Sequence, residues 1–313
     1  MSAPPIDVVV ASVRTAAVDV LEVVLEAADG SPLPAVEAGG HLDLHLEDGR
    51  VRSYSVCPPA DDPGAWRIAV LRQEQGRGGS VHLHATLRPG CHLVVGLARN
   101  GLPRPQQAER LVLVAGGIGI TAVLPLARAA QAAGQAWSLV YVGSRRERMA
   151  FLDEVQSLPG DVRIVTSRDG GIDLTRELAT AVGQPGTHVV VCGPSRMIDE
   201  VSGLGLGDRL HVERFTPADG AGPGDTPFEV RTRSGLSITV GARETILEAV
   251  ERCGVRVLSS CRAGDCGTCE TGVLEGVPDH RDELLDDDER ASGKTMLICV
   301  SRSLTPLLAL DLP

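Results

Sequence analysis

Aromatic residues make up only 2% of this 313-residue chain, so its cores must be built from valine, leucine, isoleucine and alanine. Each tyrosine, tryptophan and phenylalanine is therefore worth locating. Positive charge is also scarce. Against 41 acidic residues stand 30 basic ones, a formal net charge of −11, which argues against nucleic acid or an anionic membrane as partner. No run of about 18 apolar residues occurs, and the N-terminal segment lacks a signal peptide's basic start, so a cytoplasmic protein is expected. The apolar share of 43% and charged share of 23% are those of a globular protein, and the length predicts two or three domains.

Eight cysteines are present, four of them close to the C-terminus. Cys261, Cys266 and Cys269 form a C-x4-C-x2-C run, and 29 residues separate Cys269 from Cys299. This is the plant-type spacing of four thiolates around a [2Fe–2S] cluster. Gly264, Gly267 and Ala263 let a tight loop aim backbone N–H groups at sulfur. The alternative is structural zinc, which usually pairs two short hooks, whereas here three ligands crowd one loop. A cluster moves electrons singly. Cysteines so used fit a reducing compartment better than a disulfide framework. Cys57, Cys91 and Cys253 read as small buried hydrophobes.

Up to about Pro105 short strands alternate with turn signals, among them Ile6–Val13, Asp19–Glu26, His41–Leu46 and Trp66–Leu71, which predicts an antiparallel β-barrel. Beyond Arg110, buried-strand runs at Leu111–Ala115, Ser138–Val142, Val162–Thr166 and His188–Cys192 alternate with helical stretches, predicting a parallel α/β sheet. The expected segments are 1–105, 106–215, a Pro/Gly-rich linker at 216–227 and a cluster domain at 228–313.

Gly116, Gly117 and Gly119 follow a strand and open a helix, as a pyrophosphate loop would, with Thr121 offering a hydroxyl or merely capping. The spacing is not the Rossmann fingerprint, and a tight structural turn is the alternative. A second loop, Cys192-Gly193-Pro194, also ends a strand. The two would flank one crevice at the carboxyl edge of the sheet. In the barrel, Arg52 and Tyr54 share a strand face beside Ser53 and Ser55. Gly76-Arg77-Gly78-Gly79-Ser80 precedes a helix over 81–87. Two arginines and a nest of N–H groups suit a phosphate dianion; a salt-bridged strand and an ordinary Ser N-cap are the alternative.

Together these motifs resemble the phthalate dioxygenase reductase family, which includes the vanillate O-demethylase reductases, over essentially the full length and in the same order. The resemblance implies a ferredoxin-reductase-like FMN barrel, an NAD domain and a C-terminal plant-type ferredoxin (β-grasp) domain. It implies that Arg52, Arg77, Gly78, Gly79 and Ser80 hold the flavin phosphate, that Tyr54 packs on the isoalloxazine and that Ser55 lies near its N5. It places Gly116, Gly117, Gly119 and Thr121 on the dinucleotide, Cys192, Gly193 and Pro194 beside the nicotinamide, and Phe215, after Glu213, over the flavin. NADH would deliver hydride to FMN, and electrons would leave through the cluster to a terminal oxygenase, a Rieske-type enzyme or else a cytochrome P450. No catalytic acid or base is assigned. From a different class, the competing reading is a zinc-stabilised, nucleotide-binding regulatory protein.

Where the family has proline after the threonine, Ala122 stands here, with proline at Pro125, so a shifted helix start is expected. Arg145, Arg146 and Arg148 could accept a 2′-phosphate or simply open a helix, and NADH is preferred over NADPH on family usage. His82 and His84, two apart on a helix, and His41 with His45 are expected to be structural. The segment from Asp225 carries 16 acidic and 10 basic residues, 16 − 10 giving a net −6. Its run Asp282, Glu283, Asp286, Asp287, Asp288 and Glu289 is expected to be a solvated helix face or a docking patch for a basic acceptor.

Overall fold

The computed structural model describes residues 5–47, 51–59, 61–62, 64–74, 78–215, 224–259, 262, 264, 267–282 and 284–313. The chain forms two compact units, Met1–Phe215 and Thr216–Pro313.

In the first unit, six strands of alternating apolar residues form one antiparallel sheet: β1 (Ile6–Ala17), β2 (Val20–Ala27), β3 (Gly40–His45), β4 (Val51–Ser55), β5 (Trp66–Leu71) and β6 (His92–Asn100), in the order β4-β3-β6-β1-β2-β5. The edges meet just past β4, where the Cys57 N–H donates to the Arg67 carbonyl at 2.8 Å, closing the barrel. Its interior is aliphatic, with Val8, Val23, Leu25, Leu42 and Leu44 all at 0% exposure. One scarce aromatic anchors it: Trp66 is 1% exposed and its indole N–H donates to the Pro34 carbonyl at 2.9 Å. Helix α1 (Gly79–Thr86) caps the barrel between β5 and β6, and the His84 ring bonds the Val70 carbonyl at 2.8 Å, a structural use.

A parallel sheet follows, β7 (Arg110–Gly116), β8 (Ala136–Gly143), β9 (Asp161–Thr166), β10 (Thr187–Cys192) and β11 (Leu210–Glu213), ordered β11-β10-β7-β8-β9. Its order reverses at β7, the switch point at which such sheets bind ligands. Helix α2 (Ile120–Ala132) covers one face, and α4 (Leu174–Val182) and α5 (Ser195–Ser202) the other; the short α3 (Leu152–Gln156) follows β8. Barrel residues Val20, Cys57, Ala69 and Leu102 pack in the same core as Leu111, Leu113 and Tyr141, so the two sheets share apolar burial. The helix start does not shift as expected. A turn of 3-10 helix over Gly117–Gly119 leads into α2 at Ile120, and Pro125 sits within the helix. Burial of nine α2 residues, Pro125 among them, outweighs the lost hydrogen bond.

In the second unit, β12 (Phe228–Arg231), β13 (Ser237–Val240), β14 (Glu270–Glu275), β16 (Thr295–Leu297) and β18 (Leu307–Leu310) form a mixed sheet ordered β13-β12-β18-β14-β16, with β12 and β18 parallel. The two-residue strands β15 (Pro278–Asp279) and β17 (Arg302–Ser303) pair beside it. Helix α6 (Ile246–Arg252) buries Ile246, Leu247, Ala249 and Val250, its start fixed by a capping box of Thr245 and Glu248, and α7 (Asp287–Ser292) begins with another, Asp286 with Glu289. This is the β-grasp arrangement. Residues 216–223 of the expected linker lie outside the described residues; Asp225 accepts two hydrogen bonds of 2.7 Å from Arg281. Of the three cysteines expected to be buried, only Cys57 is. Cys91 is half-buried at the start of β6, and Cys253 is exposed because it ends α6 at its C-cap.

Candidate functional site

Register on β4 divides its side chains. Arg52 and Tyr54 lie opposite Leu44 and Leu42, while Ser53 and Ser55 lie opposite Asp43 and His41. Arg52 reaches α1 across the barrel mouth: a Cβ at Gly79 would fall 2.4 Å from its Nε. The guanidinium therefore lies on the backbone where α1 begins, bringing two halves of the expected phosphate site together. Gly78 precedes the helix at φ 75°, a left-handed turn that glycine adopts without strain. Ser80 is not the N-cap; its hydroxyl accepts the Gln73 N–H at 3.0 Å, tying the loop to the end of β5. Arg77 and Gly76 lie outside the described residues. Burial pushes the Tyr54 phenol up to about 12 against the pull of Arg52, so it stays neutral.

The serines differ. Ser53 donates to Asp43 at 2.6 Å and is spent on the barrel. Ser55 is 4% exposed, and its hydroxyl has no hydrogen-bond partner among the described residues. A buried orphan hydroxyl costs roughly 1–3 kcal/mol and calls for a partner. Its cross-strand neighbour His41 points at Glu213, Nδ1 to Oε1 4.0 Å. Glu213 pairs in register with Cys192 on β10, whose thiol is pushed well above its ordinary value, by burial first and then by the Glu213 charge. One polar seam thus runs from the barrel to the carboxyl edge of the parallel sheet. His41, read from sequence as structural, belongs to it; only strand register could have shown this.

The two glycine loops touch. A Cβ at Gly119 would meet the Cys192 oxygen at 2.2 Å, and one at Gly116 would meet Pro194 Cδ at 2.6 Å. Gly117, at φ 55°, faces open space, as a backbone approached by a ligand must. Thr121 is 2% exposed and donates to the Ile118 carbonyl at 3.0 Å, so its hydroxyl locks the turn. Phe215 is 41% exposed at the end of the unit. The arginines after β8, Arg145, Arg146 and Arg148, are all exposed, and Arg148 forms a surface ion pair with Asp19 at 3.0 Å.

In the second unit, Cys261 and Cys266 lie outside the described residues, as do Ala263 and Glu283. Cys269 and Cys299 are each 2% exposed. Cys269 precedes β14 and Cys299 follows β16, and the Glu270–Leu297 register brings the distant fourth cysteine back to the loop. That loop turns through positive φ at Arg262, Gly264 and Gly267. A Cβ at Gly264 would meet Val300 Cγ2 at 2.9 Å and Asp282 Cα at 3.1 Å. Buried thiols on a tightly wound loop fit a cluster. The acidic run is not one solvated face. Asp282 is fully buried and accepts from the Leu285 N–H at 2.9 Å and the Ser301 hydroxyl at 3.2 Å; Asp286 caps α7.

Residues 230–304 match the family model described as a 2Fe-2S iron-sulfur cluster binding domain. The chain is 38% identical to the putative toluene-4-sulfonate monooxygenase system reductase subunit TsaB2 of Comamonas testosteroni, covering 98% of this chain and 99% of that one. It is 37% identical to a vanillate O-demethylase oxidoreductase of Pseudomonas sp., over 98% and 100%. Among solved structures, it is similar to phthalate dioxygenase reductase, a modular structure for electron transfer from pyridine nucleotides to [2Fe–2S], at 35% identity and TM-score 0.73, covering 98% of both. It is also similar to an intact type IV self-sufficient cytochrome P450 monooxygenase, at 36% identity and TM-score 0.76, over 98% of this chain and 41% of that one.

Proposed function

The chain belongs to the phthalate dioxygenase reductase family, and from that premise we propose that it takes electrons from NADH through FMN and a [2Fe–2S] cluster to the oxygenase component of an oxygenase system. The observation that carries this reading is the polar seam Ser55–His41–Glu213–Cys192, which joins the barrel to the nucleotide loops and leaves one buried hydroxyl in need of a partner. Flavin supplies the conversion of a two-electron hydride into single electrons, which neither the nicotinamide nor the cluster can make alone.

The chain's own residues bind and orient. Arg52 and the N–H groups of Gly78–Ser80, with Arg77, would neutralise the flavin phosphate. Tyr54, neutral and half-buried, would lie on the ring, with Phe215 as the exposed aromatic able to cover it. The Ser55 hydroxyl would meet the ring's reactive edge. Gly116, Gly117 and Gly119 would admit the pyrophosphate, with Thr121 stiffening the loop, while Cys192, Gly193 and Pro194 would form the floor under the nicotinamide. The raised thiol pKa keeps Cys192 neutral, a packing surface rather than a nucleophile. Cys261, Cys266, Cys269 and Cys299 would hold the cluster. With Arg148 engaged by Asp19, the arginine run offers less to a 2′-phosphate, which supports NADH. The functional segments we infer are 1–105, 106–215 and 228–313.

We favour a Rieske-type oxygenase as acceptor; similarity to 41% of a self-sufficient cytochrome P450 monooxygenase supports the second reading, a P450 acceptor. Purified protein should be reddish-brown, contain FMN and iron, and bleach on anaerobic addition of NADH. Colourless protein with stoichiometric zinc would sink the proposal, and parallel reduction of a Rieske oxygenase and a P450 would identify the acceptor class.

A further inference from the structure

Glu154 on α3 is the hub of a polar brace between the barrel and the parallel sheet, remote in sequence from both glycine loops. It accepts two hydrogen bonds from Arg67 of β5, at 2.6 and 3.0 Å, and a third from Arg128 of α2. Both arginines grip the same short stretch of backbone. Arg67 Nε donates to the Cys57 carbonyl at 2.6 Å, and Arg128 Nη1 donates to the Pro58 carbonyl at 2.5 Å. Arg67 is 1% exposed and lies 4.2 Å above the Phe151 ring. Phe151 itself adopts φ 58°, a left-handed conformation rare for an aromatic residue, and so starts α3 at the angle that aims Glu154 inward.

The geometry points to a positioning role: we propose that Glu154, through Arg67 and Arg128, sets the distance and angle between the flavin-bearing strand and the dinucleotide loop during hydride transfer. Cys57 and Pro58 follow Ser55 along one chain segment. Arg128 rides on α2, whose first residue follows Gly119. One carboxylate thus links the two partners of the reaction through rigid elements. Stability alone is a poor account of such a brace, because partly exposed ion pairs contribute little and buried ones are often no more stabilising than apolar packing of the same volume. What it supplies is a single geometry. Hydride transfer is steep in that geometry, and a displacement of about 1 Å can cost on the order of 100-fold in rate. The proposal rests on the flavin and NADH sites inferred above.

The test uses full-length protein loaded with FMN, in Glu154→Gln, Arg128→Gln and, as a control, Glu177→Gln, which breaks an ion pair with Arg163 away from the loops. Anaerobic stopped-flow with NADH gives the rate constant of flavin reduction, and steady-state turnover with an artificial acceptor gives the KM; FMN content and the long-wavelength absorbance of stacked nicotinamide and flavin give two readouts independent of turnover. Glu154→Gln is expected to keep FMN content and KM within about twofold, lower the reduction rate constant by about tenfold or more and weaken the long-wavelength band. Arg128→Gln should shift all readouts the same way by less, and Glu177→Gln should shift none. Unchanged rate and band in both brace variants would overturn the proposal, as would a rate loss matched by an equal rise in KM or loss of FMN, which marks general loosening. If Glu154→Gln fails to fold, Arg128→Gln decides alone. A parent protein whose flavin NADH does not reduce overturns the proposed function, and this inference with it.

Discussion

Gly119 packs so closely on Cys192 that a Cβ there would lie 2.2 Å from the carbonyl oxygen and 2.6 Å from its carbon. Neither atom can yield, because Cys192 ends β10 in register with Ala115 of the neighbouring β7. Gly119→Ala should therefore force the two loops apart. The expected outcome is a rise of about tenfold or more in KM for NADH with FMN content unchanged, about 1.4 kcal/mol of binding per tenfold. Steady-state kinetics with an artificial acceptor, alongside flavin quantitation, checks it.

Ser55 allows a test by reversal of sign. If flavin is the missing partner of its buried hydroxyl, Ser55→Ala removes an unsatisfied group from the apoprotein and a hydrogen bond from the holoprotein. Melting temperature of FMN-stripped protein should rise or hold, while FMN affinity and flavin-reduction rate fall. Destabilisation of both forms to the same extent would count against a flavin contact.

The hub carboxylate predicts a pH dependence. Burial raises the Glu154 pKa, but hydrogen bonds and charge from Arg67, then Arg128, outweigh it and hold the group below its ordinary 4.5. A carboxylate depressed in the folded state contributes stability that is present above its unfolded pKa and lost as pH falls through the folded value. The stability gap between parent and Glu154→Gln should therefore be full at neutral pH and shrink below about pH 4.5. Urea midpoints of both proteins from pH 7 down to pH 3.5 measure it.

Thiol reactivity should divide by position. The Cys57 thiol is fully buried and pushed up to about 11 by desolvation, partly countered by Arg67. Cys253 is exposed at the C-cap of α6. Iodoacetamide at pH 8 should label Cys253 in native protein and reach Cys57 only after unfolding. Peptide mapping by mass spectrometry reads both sites.

At the cluster loop, Gly264 sits at φ 87° with Val300 and Asp282 against it. Gly264→Val adds both left-handed strain, about 1–2 kcal/mol, and a clash. Iron and sulfide content should fall by more than half while the far-ultraviolet dichroism of the β-grasp sheet persists. Full occupancy would contradict the tight loop described above.

Most strands were legible from local pattern. The apolar pattern locates Trp66–Leu71 to the residue and β1–β3 and β7–β10 to within a few positions, because alternating or continuous apolar runs report burial directly. Single-residue environments were less so. Asp282 reads as one more charge in an acidic run, yet its side chain is wholly buried, since Ser301 and the turn at Gly264 pack against it. The alternative of Ser80 as an N-cap fails, because its hydroxyl bonds Gln73 and Gly78 already makes the left-handed turn.

By itself the sequence determined the two glycine loops, the barrel-then-parallel-sheet order and the cluster-type cysteine spacing, all properties of consecutive residues. Tertiary structure alone decided which polar groups come together: His41 with Glu213, Glu213 beside Cys192, and Glu154 with Arg67 and Arg128, 87 and 26 positions away. The reason is that strand register and helix docking are set by apolar faces burying against one another. The polar partners are carried into place by that burial, and nothing in their own neighbourhoods along the chain encodes whom they will meet.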